Sequence, residues 1–301
     1  MKLYMICDES GAKGYADRNE SFPGETGVFA GVMVPEDKFK DYKEGIEEAA
    51  LPFFSDDKCH LASLSNEDMP KLREAVYACL DRLALDLVYE AVHVEGFNRE
   101  FVRMQELEAR GRELSSGRYK VGGEIRPESL HEKLFEGLFC KALAYCIDKY
   151  GDDFELVIIP DRVDESIFKK FIKNSENFKG DLDYVRGIKS YDTQERKLVQ
   201  GTLKFEFTVP EEYGFDEIEN AEFEIQKDSE GGCLTLPADI LSNHICYLFH
   251  SREGDDIGKP LNNTDSVVGH LLAHRFCGLA NPNGYPWFPD WCYAYPKDSD
   301  F

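Results

Sequence analysis

Hydrophobic and polar positions divide the chain into short apolar runs and longer amphipathic stretches. Residues 3–7 (Leu-Tyr-Met-Ile-Cys) form an unbroken apolar run with a β-branched and an aromatic member, which predicts a strand buried on both faces. Asp8 and Glu9 follow it, then Ser10 and Gly11. A polar, glycine-containing loop is expected over 11–25, and a second strand over Gly27–Val34, stopped at Pro35. Helical spacing covers 36–50 and ends before Pro52, and Asn66 or Asp68 is placed to cap a helix running to about Asp81. Residues 84–94 have strand character, 97–113 read as a charged helix, and 127–149 as a stronger helix with Pro127 near its first turn. Phe154–Ile159 is a short buried strand ending at Pro160-Asp161, and 164–174 is helical. Clean alternation predicts strands over 203–209 and 221–227, followed by helices over Leu236–Ser251 and about 265–277. Strands and helices mixed in this way fit an α/β layer fold. No internal repeat or low-complexity linker interrupts it.

Charge changes the picture. With 35 basic against 58 acidic residues the formal net charge is −23, so the chain as a whole repels nucleic acid and anionic membranes. The basic residues nevertheless concentrate. Residues 109–126 hold five basic and two acidic residues, net +3, and residues 169–204 hold nine and five, net +4. Residues 205–230 hold ten acids and one lysine, net −9. The two basic segments are either solvated faces or a local phosphate-contacting patch. No apolar run approaches the ~20 residues needed to span a bilayer, and the first residues lack the pattern of a secretion signal. Nine cysteines, with no C-x-x-C pair and several in apolar settings (Cys7, Cys79, Cys140, Cys146, Cys246), read as reduced, buried cysteine in a cytoplasm.

Three apolar elements carry an acid at one end: Asp8 after the first strand, Asp161 after the strand ending at Ile159, and Asp239 in the first turn of a late helix. A helix dipole alone would favour Asp239 there, and Asp161 could cap the next element. Taken together, the three could hold one or two divalent ions, since Mg²⁺ prefers oxygen ligands.

Four separated segments resemble a bacterial and phage family known as domain of unknown function 3800, placed in the ribonuclease-H-like superfamily. They are Ile6-Cys7-Asp8-Glu9-Ser10-Gly11; Lys58-Cys59-His60-Leu61-Ala62-Ser63, with leucine after the histidine; Val157-Ile158-Ile159-Pro160-Asp161-Arg162; and Asp228-Ser229 through Leu234-Thr235-Leu236-Pro237-Ala238-Asp239-Ile240-Leu241. In the last, threonine stands where glutamine is usual and a proline precedes Ala-Asp. The resemblance implies one ribonuclease-H-like domain over 1–301, a mixed sheet flanked by helices, with helical and hairpin insertions at about 97–126 and 175–230. It implies a Mg²⁺ or Mn²⁺ site on Asp8 of the central first strand, Asp161 of the fourth and Asp239 of a late helix. It also implies phosphodiester hydrolysis, in phage-defence or mobile-element biology.

Other residues take supporting roles in this reading. His60 would shuttle protons or meet the scissile phosphate, against an ordinary loop histidine. Arg162, Arg118 and Lys120 would contact phosphates. Ser10, Asp228 and Asn243 would steady the ligands, Asn243 from one turn beyond Asp239. Glu9 is adjacent to Asp8, but neighbours on a strand point to opposite faces, which makes it a poor co-ligand. His270 and His274, four apart on the expected helix, have a spacing that can share zinc, though no glutamate follows His270; helix packing is the favoured reading. His244 is expected to be a satisfied helix histidine. Residues 285–301 carry both tryptophans and five further aromatics. They either stack on single-stranded bases or, the favoured reading, pack on the body, a second copy or a protein partner. A different class of function fits the same fold: an inactive interaction module that uses the acidic 205–230 segment and the aromatic tail.

Overall fold

The computed structural model describes residues 1–54, 61, 64–114, 118–121, 126–151, 153–161, 165–177, 184–205, 222–226, 233–259, 261 and 264–276. Its centre is a five-stranded mixed sheet, with β1 (Lys2–Gly11) in the middle. On one side β1 pairs antiparallel with β2 (Thr26–Pro35), and β2 with β3 (Asp86–His93). On the other side it pairs parallel with β5 (Glu155–Pro160), and β5 with β8 (Glu222–Ile225). The unbroken apolar runs at β1, β2 and β5 have a structural reason, because helices cover the sheet on both faces.

Alternation along β1 assigns those faces. Ile6 joins Val28, Val32 and Val157 in a core shared with α1 (Glu36–Ala50), α2 (Asp68–Arg82) and α6 (Leu236–His250). Leu3, Met5 and Cys7 face the other way, into a core with α4 (Leu130–Tyr150) and Phe171 of α5 (Glu165–Asn177). Buried charge on this second face is paired: Lys141 Nζ lies 2.9 Å from Glu90 Oε2 and donates to the Tyr89 carbonyl at 3.0 Å.

Several expectations shift. β1 continues through Ser10 to Gly11, so Asp8 and Glu9 lie within a strand rather than after one. The β2 hairpin explains this, because its register runs to Gly11↔Gly27, whereas pairing with β5 stops at Cys7↔Pro160. The helix α3 (Val94–Leu114) begins three residues earlier than its charge pattern suggests. In α4 the first turn follows Ser129, whose hydroxyl accepts from the Glu132 N–H, and Pro127 lies outside. The expected helix over 265–277 is replaced by two short 3₁₀ turns, Thr264–Val267 and Ala273–Arg275. There the Leu272 N–H donates to His270 Nδ1 at 3.0 Å, a side-chain bond that competes with a helical ladder. Cys233 is disulfide-bonded, which corrects the all-reduced reading; isolated spacings carry no information on which cysteines approach in space. Cys7, Cys79, Cys140, Cys146 and Cys246 are free.

Parts of the two segments expected as insertions pair with each other in a second, three-stranded sheet, whereas β8, within 175–230, belongs to the central sheet. A three-residue strand β4 (Tyr119–Val121) pairs antiparallel with β6 (Tyr184–Asp192), which forms a hairpin with β7 (Lys197–Phe205). The strand expected over 203–209 is the end of β7, and its residues past 205 lie outside the described ones. Among the described residues, no helix is long and apolar enough to cross a membrane.

Candidate functional site

The carboxyl ends of β1 and β5 part company after Cys7↔Pro160, and the Asp161 N–H donates to the Cys7 carbonyl at 2.9 Å. Asp161 therefore stands beside the backbone of Asp8, where β1 runs on alone on that flank. From the same core face comes α6, which packs on β1 and β2. Thr235 precedes its first turn, and its hydroxyl donates to Asp161 Oδ1 at 2.7 Å. Asp239 occupies that first turn, half-buried.

Electrostatics tie the three acids together. Asp8 is 8% exposed, and its carboxyl is pushed up to about 9, first by burial and then by the charges of Glu9, Asp239 and Asp161. The Glu9 N–H donates to Asp8 Oδ1 at 2.8 Å and offsets only part of that. Asp239 is raised to about 6, by burial and then by Asp161 and Glu9. Burial also pushes the Cys7 thiol up, as do Asp8, Glu9 and Asp161. Carboxylates from three elements thus share one partly dry neighbourhood, where like charges disfavour simultaneous ionisation.

Glu9 turns to the opposite face, as strand alternation requires. Lys13 Nζ lies 2.9 Å from Glu9 Oε1, and His131 Nε2 of α4 lies 3.8 Å from Oε2. Burial would raise Glu9; the facing His131 and Lys13 outweigh it and hold the carboxyl below its ordinary value. His131 itself is packed between Phe29 and Phe171, ring centroids 5.6 and 5.3 Å away.

Ser10 lies near Cys246 of α6; burial raises that thiol to about 11, and Ser10 opposes the rise. The turn at Gly11 makes this close approach feasible. Its φ is +81°, and a Cβ there would stand 2.4 Å from the Thr26 carbonyl oxygen and 2.6 Å from Cys246 Sγ. Asn243 is exposed, one turn beyond Asp239. His60, Arg162, Asp228 and the aromatic tail lie outside the described residues, and Lys120 is placed by its backbone on β4.

Arg118 is paired with a carboxylate of β6. Its Nε and Nη2 donate to Asp192 Oδ2 at 3.1 and 3.0 Å, and its carbonyl accepts from the Thr193 N–H and hydroxyl. This arrangement closes the β4–β6 junction. The histidines also resolve. Tyr77 Oη lies 3.0 Å from His270 Nε2 and 3.1 Å from His244 Nδ1, whereas His274 Nε2 lies 2.9 Å from Asp81 Oδ1. His270 and His274 therefore have different partners, in keeping with packing rather than shared zinc. Because His270 Nδ1 accepts from Leu272 N–H, its Nε2 carries the proton in the neutral ring. Tyr77 then donates to His244.

Sequence reasoning missed Thr235 and Tyr77. Thr235 was legible only as a departure from a motif, and Tyr77 only as an apolar position of α2. Among the described residues, no group of three or more His, Cys, Asp and Glu side chains is arranged to hold a metal ion. Compared as a sequence with protein-family models and with curated proteins, the chain matches none.

Proposed function

We propose that the chain hydrolyses phosphodiester bonds in nucleic acid with the help of Mg²⁺ or Mn²⁺, on a ribonuclease-H-like sheet. The observation that carries this reading is the shared electrostatic neighbourhood of Asp8, Asp161 and Asp239 at the parted ends of β1 and β5. Support for the fold comes from the strand order, with the first strand central, an antiparallel pair of neighbours on one side and parallel strands on the other.

The donor set fits a hard divalent cation. All three side chains offer oxygen, and a cation among them would offset the burial and the like-charge repulsion that together push Asp8 up to about 9. Mg²⁺ is commonly held by one or two carboxylates plus substrate phosphates, so Asp8 and Asp161 suffice as protein ligands, with Asp239 the third candidate. Bound there, the ion would supply an activated water and neutralise charge on the leaving oxygen.

The remaining work falls to the chain's own groups. The Glu9 N–H fixes one oxygen of Asp8, and Thr235 fixes one oxygen of Asp161, which orients both carboxylates before substrate arrives. Asp239, at about 6, is mostly ionised at neutral pH and is able to take up a proton just below it. Proton transfer by His60 and phosphate contact by Arg162 rest on the resemblance alone, as does a cytoplasmic, phage-defence or mobile-element setting.

The test is cleavage of labelled single- and double-stranded DNA and RNA with Mg²⁺, Mn²⁺ or EDTA. The expected result is metal-dependent cleavage, reduced at least ~100-fold in Asp8→Asn and Asp161→Asn proteins that remain folded. Cleavage that persists in both variants, or no cleavage of any substrate, would contradict it, and the latter would favour the interaction module.

A further inference from the structure

The connection from β8 to α6 ends in Cys233-Leu234-Thr235. Cys233 is disulfide-bonded and half-buried. The five other described cysteines are free, so its partner lies outside the described residues. Burial raises the thiols of Cys7, Cys140, Cys146 and Cys246, to about 12 at Cys140 and Cys146, and leaves them little thiolate. Cys79 is buried as well. Among the described cysteines, thiol–disulfide exchange therefore centres on Cys233.

The bond sits at the head of the segment that builds the acid cluster. The Cys233 carbonyl accepts from the Leu236 N–H at 3.2 Å. The Leu234 carbonyl accepts from the buried Tyr42 hydroxyl at 2.8 Å. The Thr235 hydroxyl donates to Asp161 Oδ1, and the Thr235 carbonyl accepts from the N–H groups of Ala238 and Asp239 at 3.0 and 3.1 Å. Three successive residues thus set the start of α6, and with it the placing of Asp161 and Asp239.

The start of α6 has no side-chain cap to hold it. Thr235 stands at the N-cap position, where a threonine hydroxyl ordinarily accepts from an N–H of the first turn. Here it makes no such bond and is engaged with Asp161 instead. Pro237, in the first turn, contributes no N–H. Apart from the Tyr42 hydrogen bond, the covalent tie at Cys233 is what restrains Thr235 from the N-terminal side.

We infer that the Cys233 disulfide is a redox switch on the acid cluster. Oxidised, it holds Thr235 against Asp161. Reduced, it frees residues 233–239, Asp161 loses its donor, and divalent-metal binding weakens. The metal in that statement rests on the hydrolytic reading given above, whereas the clamp does not. The reductant is a dithiol. One of its thiolates attacks a sulfur of the bond, forms a mixed disulfide and expels the other cysteine as a thiolate; its second thiolate then displaces the first cysteine. Two electrons pass to the two cysteines, two protons follow from the dithiol, and the dithiol leaves as its own disulfide.

The test compares the full chain oxidised with diamide and reduced with dithiothreitol, each freed of reagent under nitrogen, beside Cys233→Ser and Thr235→Val. Peptide mapping of the oxidised chain should find Cys233 bonded to Cys59, Cys277 or Cys292, and a free Cys233 would overturn the proposal. In EDTA, hydrogen exchange at the amides of Leu236, Ala238 and Asp239 should be about tenfold faster in the reduced chain, with distant segments unchanged. Mn²⁺, followed through the melting temperature, should bind the reduced chain about tenfold more weakly. Cys233→Ser should behave as the reduced chain after either treatment. Thr235→Val should bind Mn²⁺ weakly and equally in both states, because the bond acts through that hydroxyl. Equal exchange in the two states would overturn the proposal, and so would exchange that rises alike in every segment, the mark of a bond that only staples the fold. Faster exchange with unchanged Mn²⁺ affinity would sink the switch and leave the metal site standing. Faster exchange with no Mn²⁺ binding in either state would keep the clamp and sink the metal site.

Discussion

The hydroxyl of Thr235 donates to Asp161 Oδ1 at 2.7 Å and so joins the end of β5 to the start of α6. Thr235 supplies the donor that holds this carboxylate. Thr235→Val keeps the shape and removes the donor. The expected outcome is a stability loss of about 1 kcal/mol in chemical denaturation, with a fall in metal-dependent cleavage of tenfold or more. Unchanged cleavage would mean that Asp161 is oriented by other groups.

Asp8 and Asp239 make the site a source of instability when no cation is bound. Their folded-state values, about 9 and about 6, lie above the ~3.9 of an unfolded aspartate. The neutral forms are therefore the ones that the fold favours. Their contribution is fully present below pH ~4 and is lost as pH rises, through about 6 for Asp239 and about 9 for Asp8. Asp8→Asn imitates the neutral form and retains the oxygen that accepts from Glu9. In EDTA it should be more stable than wild type at pH 8, by on the order of 3 kcal/mol, and the difference should shrink towards pH 4. Melting curves at the two pH values decide it; a variant less stable at pH 8 would show that the ionised carboxylate is a structural partner.

The Tyr77 network predicts the opposite limb. Burial lowers His270 to about 3, with the charges of His244 and Arg73 adding to it, and burial and then Arg73 lower His244 to about 4. Both lie below the ~6.5 of an unfolded histidine, so their contribution is fully present above that pH and is lost as pH falls towards 4. Tyr77→Phe removes the hydroxyl shared by the two rings and should cost about 1–3 kcal/mol at pH 7. Urea denaturation at pH 7 checks this, and an unchanged midpoint would show the network to be energetically idle.

Much of the architecture was legible in the sequence, for reasons that differ by element. The runs of β1, β2 and β5 are apolar because both faces are covered, and α1 is bounded by Pro35 and Pro52; both signals are local. Strand alternation correctly separated Glu9 from Asp8. The second sheet was not legible. β4 is three residues long, too short for any period, and its partner β6 lies more than 60 residues away. For the same reason the partner of Arg118 was not legible: Asp192, which binds it, is 74 residues distant. The helix expected over 265–277 failed because His270 captures a backbone N–H that a helix would need. Thr235 read as a departure from a motif, since its acceptor is brought to it only by the packing of α6 on β1.

On the far face of the sheet, Lys141 and Glu90 form a buried pair with side chains 8% and 6% exposed. Lys141→Met retains the aliphatic stem and leaves the carboxylate without its cation. It should destabilise the fold by about 3–5 kcal/mol without altering the acid cluster on the opposite face. Equilibrium denaturation measures the first part. A loss below ~1 kcal/mol would show that other groups neutralise Glu90.

The most direct test of the central claim is the melting temperature of the metal-free chain at pH 7.5, titrated with Mn²⁺ up to the millimolar range, beside Asp8→Asn. A ligand that binds only the folded state raises the midpoint, by about 2.7 kcal/mol of stability at a hundredfold excess over Kd. The account predicts a rise in the wild type that saturates with Mn²⁺ and is absent from the variant. A wild-type midpoint that does not move, or an equal rise in both proteins, would contradict a divalent-metal site on Asp8.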